Sequence, residues 1–307
     1  MLRRYVNRKI AVKGLIFLAG ACLIIGVSVI LFVGKKPADE ISPSDYASKT
    51  IHYRFQIRNT TNQPVSDANF FVHAPLKQTG TQRCDRIEAS HPYELVTDSV
   101  GNQVLKFTFN TFAPFATKVV SVRANLLFTV TPVAFEKSDS TRLAAPAPDS
   151  GEKDIDIRQL AVHLKSENIH ATAENLYRWV ADNIAYTGYS RDAKGARYTL
   201  SKRQGDCTEF ADLFVALARA AEIPARRVSG YLAHENNVLK PANFHDWAEF
   251  YENGVWRIAD AQQRNFDARY SDYIAMRIYD HSLPSGPIGG FHRFFVHGKG
   301  LKAKMDS

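Results

Sequence analysis

Residues 204–231 constrain the fold of this chain most strongly, because they place a cysteine at the start of an apolar helix. Asp206 is a favourable N-cap and Glu209 follows three positions later, so the pair predicts a capping box that begins a helix at Cys207. Unpaired backbone N–H groups and the positive end of the helix dipole favour a thiolate there, the form that attacks carbonyl carbon. Apolar residues recur at helical spacing until Pro224. The stretch therefore predicts a nucleophile held at the end of a packed helix.

Residues 244–260 predict a β-hairpin that supplies a base. The Asn-Gly pair at 253–254 is a preferred two-residue turn between antiparallel strands, and aromatic residues flank it on both sides. This turn sets a register in which His245 and Asp260 share a sheet face as diagonal neighbours, close enough for a carboxylate to hold an imidazole. Asp246 points to the opposite face. The sequence therefore predicts Asp260 as the acid that orients His245.

The two motifs together resemble the transglutaminase-like superfamily, whose members carry a Cys-His-Asp triad in that chain order on a papain-like α+β core. The resemblance covers about residues 155 to 265 and rests on Gly205, Cys207, residues 223–226, Gly230, Tyr231, His245, Trp247, Trp256 and Asp260. Many relatives follow the acid with Pro-Thr, whereas Ala261 and Gln262 stand here. The resemblance implies that Cys207, His245 and Asp260 form a catalytic triad. The histidines lack metal-ligand spacing and no cysteine pair exists, so neither a metal nor a cofactor is predicted.

Several residues keep two interpretations. A lone cysteine in a helix is usually a small buried hydrophobe, so the nucleophile at Cys207 rests on its helix-start position, the hairpin register and the resemblance together. Trp247 is either a packing residue or a wall of the cleft. The tyrosines within residues 186–204 either line the cleft or pack structurally. Cys84 is expected to be a buried or tolerated thiol, since a disulfide to Cys207 would block the chemistry.

The N-terminal residues predict a membrane anchor. Residues 1–13 are basic and are predicted to be a cytoplasmic N-terminus. Residues 14–34 carry no charge and are predicted to be a transmembrane helix, because a helix of this length would span about 30 Å, the thickness of the hydrocarbon core. Five basic residues precede the span and fewer follow it closely, so the later residues are expected outside the cytoplasm, in the periplasm or at the cell surface. A cleaved signal peptide is the alternative, although the apolar run is long and lacks a small-residue cleavage site.

Composition divides the rest of the chain into two domains. Residues 35–49 read as a polar tether, and residues 50–135 contain alternating strands without helical periodicity, which predicts a β-sandwich domain. Residues 136–152 are rich in Ser, Ala, Pro and charge and predict a linker. Residues 153–298 are the transglutaminase-like catalytic domain, and residues 299–307 a basic, mobile tail. The predicted fold class is α+β: a papain-like catalytic domain preceded by a β-sandwich domain and one transmembrane helix.

The predicted activity is cysteine-dependent acyl transfer on amide bonds. Hydrolysis of a peptide or isopeptide bond in a protein or peptide substrate, outside the cytoplasm, is the first hypothesis. The second is an amide synthase or transglutaminase that joins an amine acceptor to a glutamine or carrier-bound thioester donor. A non-catalytic binding or assembly module on the same fold is the third. The net charge of +8 comes partly from the N-terminal flank and forms no clustered basic stripe, so nucleic-acid binding is not expected.

Overall fold

The computed structural model describes residues 46–98, 100–134, 151–190, 192–279 and 293–307, which belong to one compact unit. The predicted cytoplasmic N-terminus and anchor, most of the tether and most of the linker lie outside the described residues. Within the described ranges, no helix has both the length and the apolar character needed to cross a bilayer.

Two antiparallel sheets face each other across an aromatic core in the first half of the fold. Their strands before residue 130 are β1 (Tyr46–Asn59), β2 (Val65–Ala74), β3 (Gln82–Ala89), β4 (Glu94–Thr97), β5 (Gln103–Phe112) and β6 (Thr117–Thr129). Strands β1, β6 and β3 pair in one sheet and β2, β5 and β4 in the other. Phe55, Phe70 and Phe107 are buried between them, as period-two alternation of apolar residues requires. The sequence did not predict β3, whose residues are polar and mostly exposed.

Four helices of the described residues open the second half of the fold. They are α1 (Ile155–Leu164), α2 (Ile169–Asn183), α3 (Gly195–Lys202) and α4 (Cys207–Ala220). The side chains of Asp154 and Asn168 cap the first two helices, which bury the apolar faces that their periodicity predicts. Two short parallel strands, β7 (Ala185–Tyr186) and β8 (Gln204–Gly205), bring the segment after α2 beside the start of α4.

A five-stranded sheet packs one face against these helices. The remaining strands of the region are β9 (Ala225–Leu232), β10 (Asn237–Val238), β11 (Phe244–Glu252), β12 (Val255–Asp260), β13 (Asn265–Phe266) and β14 (Tyr273–Ile278), and the sheet order is β13-β12-β11-β9-β14. Phe214 of α4 contacts Phe250 of β11 on the helical face. The opposite face buries Trp247 and Tyr273 together with Leu76 from the first half. The mixed fold therefore has a helix-on-sheet core of the kind the sequence predicts.

Strands from the second half complete the two sheets of the first. β15 (Phe294–His297) pairs with β2, and β16 (Leu301–Met305) pairs with β1 on the edge that β10 also occupies. The prediction of a mobile tail over 299–307 is wrong, because Leu301 and Met305 are buried in the core. Basic residues alternate with apolar ones in this segment, and the alternation, not the charge, decides its structure.

The two predicted domains share a hydrophobic core. Tyr231 and Ile274, on the catalytic sheet, belong to the same buried cluster as the sandwich strands. The predicted tether also ends too late, since β1 begins at Tyr46. Buried Lys49 donates hydrogen bonds to the carbonyl oxygens of Ala233 at 2.6 Å and Ser271 at 2.5 Å. The sandwich is therefore packed against the predicted catalytic domain and shares its core, so the two do not form separate domains.

Candidate active site

Cys207 is the first residue of α4, and the predicted capping box is confirmed. The Asp206 carboxylate accepts a hydrogen bond from the backbone N–H of Thr208 at 2.9 Å, and the Glu209 carboxylate accepts from the N–H of Asp206 at 3.0 Å. These bonds satisfy two backbone donors at the start of the helix. The half-buried Cys207 thiol is thus carried on a fixed first turn.

The same two carboxylates hold the chain that leads to the helix. Asp206 accepts from the N–H of Ser190 at 2.8 Å, and Glu209 accepts from the N–H of Lys194 at 2.8 Å. Gly205 lies so close that a β-carbon there would be 2.3 Å from the β-carbon of Glu209. A glycine two residues before Cys207 is therefore required by the capping box.

The hairpin places His245 against Asp260, and its predicted register is confirmed. Glu252 pairs with Val255 across the Asn-Gly turn, whose two residues have φ of 50° and 87°. The Nε2 of His245 donates to Oδ2 of Asp260 at 2.6 Å, and both side chains are buried. The pair predicted from the register is therefore formed.

Asp260 is held by two further donors. Tyr273 donates its hydroxyl proton to Oδ2 at 2.9 Å, and the backbone N–H of Gln263 donates to Oδ1 at 3.1 Å. Both oxygens are thus occupied although Ala261 follows where many relatives have proline. Nothing in the local sequence indicates that Tyr273 contacts Asp260.

The charge of His245 follows from its surroundings. Burial lowers its pKa, but the negative charge of Asp260 and hydrogen bonds with Asp260 and Cys207 outweigh burial and raise the pKa to about 10. The imidazole is therefore protonated at neutral pH. It lies between a carboxylate and a thiol, with Nε2 occupied by the carboxylate.

The neighbours of His245 on β11 serve its position. Asp246 faces away from His245 and accepts hydrogen bonds from Ser229 and, at 2.7 Å, from Oγ1 of Thr208. It therefore ties β11 to β9 and to the first turn of α4. Trp247 is 1% exposed and stacks on the His245 ring, with centroids 6.4 Å apart and planes at 17°. Its side chain is a packing residue.

A buried ion pair supports the sheet behind the site. Nη2 and Nε of Arg226 lie 2.7 Å and 2.8 Å from Oε2 of Glu249. The guanidinium lies 4.0 Å from the ring centre of Trp256, and Nε1 of Trp247 donates to Oε1 of Glu249 at 3.4 Å. Three motif residues, Arg226, Trp247 and Trp256, therefore act through packing and charge in the sheet behind the site.

Gly230 is a point of close approach between strands. A β-carbon there would lie 1.8 Å from the carbonyl oxygen of Ile274 and 3.1 Å from the Trp247 ring. Because Trp247 stacks on His245, a side chain at position 230 would displace the support of the imidazole.

A cavity of about 410 Å³ opens onto Cys207 and Thr208. Its walls come from three parts of the chain: Tyr186, Tyr189, Pro241, Ala242, Phe244 and Arg293. Two tyrosines of the 186–204 segment therefore line the cleft, whereas Tyr198 accepts a hydrogen bond from Gln204 instead. The sequence did not predict Phe244 or Arg293 as cleft residues. In the part of the chain that the structure describes, no group of three or more His, Cys, Asp or Glu side chains could hold a metal ion.

Known proteins resemble this chain in sequence profile and in fold. Residues 158–261 match the profile of the transglutaminase-like superfamily. A candidate cysteine protease from Cytophaga hutchinsonii has a TM-score of 0.56 at 19% identity, covering 85% of this chain and 92% of that chain. The periplasmic domain of TgpA from Pseudomonas aeruginosa has a TM-score of 0.36 at 17% identity, with 68% and 87% covered. Calcium-bound LapG from Legionella pneumophila has a TM-score of 0.32 at 15% identity, covering 46% of this chain and 82% of that chain. No curated protein matches the sequence at a significant level.

Proposed function

We propose that this chain, whose residues 158–261 match the transglutaminase-like superfamily, is a cysteine-dependent hydrolase of peptide or isopeptide bonds. One observation supports the proposal: His245 is paired with Asp260 at 2.6 Å and interacts with Cys207, which lines a cavity. In this proposal Cys207 is the nucleophile, His245 the proton carrier and Asp260 the orienting acid.

The acylation step assigns a role to each member. Sγ of Cys207, beside the imidazolium of His245, adds to the amide carbonyl carbon. The backbone N–H of Cys207, at the helix start, is a donor for the resulting oxyanion. The tetrahedral species then expels the amine, His245 donates the proton that the amine needs, and a thioester to Sγ remains.

Water completes the turnover in the hydrolytic reaction. Neutral His245 removes a proton from water as the oxygen adds to the thioester carbonyl, and collapse releases a carboxylic acid and the Cys207 thiolate. Asp260 keeps the imidazole oriented through both proton transfers. Cys207 is half-buried at an open cavity, where an acyl group on Sγ would be accessible to water, and this accessibility supports the choice of hydrolysis.

We further propose that the enzyme is held on the membrane by residues 14–34, with the catalytic half outside the cytoplasm. The support is the charge-free span and the five basic residues before it. Protease access to a C-terminal epitope in intact spheroplasts measures this orientation. Protection that persists until detergent is added would place the catalytic half in the cytoplasm.

The decisive experiment traps the acyl-enzyme. A peptide library is incubated with the wild-type protein and with Cys207→Ala, and intact mass spectrometry follows adducts while peptide sequencing follows products. We expect an adduct on Cys207 and cleaved peptides with the wild type only. Adding a primary amine separates hydrolysis from amide synthesis, since a synthase diverts most product to the amide. Equal products from both proteins would instead favour a binding module.

A further inference from the structure

Arg293 places a positive charge on the wall of the cleft. It lines the same cavity as Cys207, lying 4.7 Å from the ring centre of Phe244 and 5.8 Å from that of Tyr189. Its Nη1 lies 3.5 Å from the carbonyl oxygen of Pro241. Aromatic rings hold the guanidinium by their faces and leave its hydrogen-bond donors largely unused.

The carboxylates next to the nucleophile are already engaged. Both oxygens of Asp206 accept backbone N–H groups, and Asp260 is paired with His245. Among the described residues, no carboxylate lies within 4.0 Å of the Arg293 guanidinium. Arg293 is therefore the one cationic side chain among the described residues that line this cavity.

The β-sandwich holds this charge in place. Arg293 immediately precedes β15, and its carbonyl oxygen accepts from the backbone N–H of His73 on β2 at 3.2 Å. The segment that Arg293 contacts is fastened in the same way, since Leu239, shortly before Pro241, donates its N–H to the carbonyl oxygen of His52 on β1 at 2.7 Å. The backbones on both sides of this contact are thus held by sandwich strands.

We propose that Arg293 is a specificity-determining residue that binds a carboxylate on the substrate, so that the preferred substrates are acidic peptides with Asp or Glu close to the bond attacked by Cys207. A guanidinium presents paired donors that match a carboxylate, and desolvation among aromatic rings strengthens that contact. This inference rests on the proposed function, because it names the substrate class of the same site.

Two thiol reagents of similar size that differ in charge test the charge of Arg293 without a known substrate. Iodoacetate and iodoacetamide both alkylate Cys207 by forming an S–CH₂ bond and releasing iodide, but only iodoacetate carries a carboxylate. The rate ratio of the two reagents therefore reports positive charge beside the thiol. Arg293→Gln should lower the ratio by about threefold to tenfold while the iodoacetamide rate stays unchanged. Arg293→Lys should keep most of the wild-type rate ratio, because the positive charge remains. A salt concentration of 1 M should reduce the wild-type ratio toward that of Arg293→Gln.

Arg58→Gln is the matched control, because it removes one positive charge from an exposed position on β1. Its ratio should equal that of the wild type. Cys84 does not confuse the measurement at neutral pH, because burial and the nearby charge of Asp85 raise its pKa to about 11. An unchanged ratio in Arg293→Gln, with normal iodoacetamide labelling, would overturn the inference and leave the proposed function standing.

Peptide pairs extend the test to turnover. Two fluorogenic peptides that differ only by Glu or Gln beside the cleaved bond are each tested with the wild-type protein and with Arg293→Gln, and kcat/KM is measured. Arg293→Gln should lose about tenfold or more in kcat/KM for the Glu peptide and little for the Gln peptide. Equal losses on both peptides would contradict carboxylate recognition. Failure of Cys207 to react with either reagent or any peptide would instead remove the proposed function itself.

Discussion

His245 donates a 2.6 Å hydrogen bond to Asp260 on the neighbouring strand, whereas Asp246, next to it in the chain, faces the opposite side of the sheet. Successive strand residues point to opposite faces, so the acid partner of a strand histidine must come from across the ladder. A slip of one residue would bring Ala259 or Ala261 to that position and leave the imidazole without an acid. The chemistry of the site therefore depends on the two-residue turn at 253–254.

Replacing Asp260 by asparagine tests the orienting role. Asp260→Asn should lower kcat/KM by roughly 10²–10⁴-fold, because an amide cannot stabilise the imidazolium and favours the wrong ring tautomer. The measurement is peptide hydrolysis, with circular dichroism to verify folding. Asp182→Asn, which changes an exposed carboxylate on α2, is the control and should keep wild-type activity. Near-normal turnover by Asp260→Asn would remove the acid from the mechanism.

The raised pKa of His245 predicts a pH-dependent contribution to stability. The folded pKa is about 10 and the unfolded value is about 6.5, so the protonated ring stabilises the fold fully below pH 6.5 and loses this contribution as pH rises to 10. The difference in unfolding free energy between wild type and His245→Gln should therefore shrink over that window, by at most about 1.4 kcal/mol per pH unit. Urea denaturation across pH 6–10 measures it. A difference independent of pH would contradict a charged His245.

Gly230 should tolerate no side chain. Gly230→Ala places a methyl group against the carbonyl oxygen of Ile274, which must separate β9 from β14 and shift Trp247 under the imidazole. We expect a loss of about 3 kcal/mol in unfolding free energy and a fall in kcat. Gly188→Ala is the comparison: its φ is +81° but nothing lies within 4 Å, so it should cost only about 1 kcal/mol. Equal costs for the two variants would reject the close approach as the reason for Gly230.

The buried pair of Arg226 and Glu249 predicts an asymmetric response to mutation. Arg226→Met should destabilise the protein by about 3–5 kcal/mol, because it leaves the Glu249 carboxylate buried without its partner. Adding Glu249→Leu should recover much of the loss, since two apolar side chains leave no unpaired charge. Thermal or urea unfolding of the two variants decides the point. Additive losses would mean that each residue acts through contacts other than the ion pair.

Local patterns made the centre of the site predictable. The capping box at Asp206 and Glu209 and the turn at 253–254 each lie within a few residues, and they fix where Cys207 starts its helix and what His245 faces. Apolar periodicity likewise identifies α1, α2 and most sandwich strands. Each of these features depends on the spacing of residues that are close together in the chain, so it can be predicted from the sequence.

The rest of the cleft has no local signal. Arg293 lines the same cavity as Cys207 because β15 pairs with β2, where Phe294 lies opposite Val72, and no short-range pattern specifies that pairing. Tyr273 contacts Asp260 through a similar long-range arrangement. The terminal strand β16 was misassigned because its lysines suggested a solvated tail, although alternate residues are apolar. Residues whose positions depend on distant strand pairing are therefore the ones that sequence reasoning misses.

The pairing of β16 with β1 imposes an order on biosynthesis. Phe55 finds its partner Met305 only after the whole catalytic half has been translated, on the order of ten seconds or more after β6 at typical bacterial and eukaryotic elongation rates. Until then the edge of β1 that β16 covers is unpaired, which is the condition under which strands recruit other chains. Arg293 arrives in the same late segment. A ribosome-bound chain that stops before residue 293 therefore contains Cys207 and the hairpin residues but lacks Arg293, the last cavity-lining residue to be synthesised.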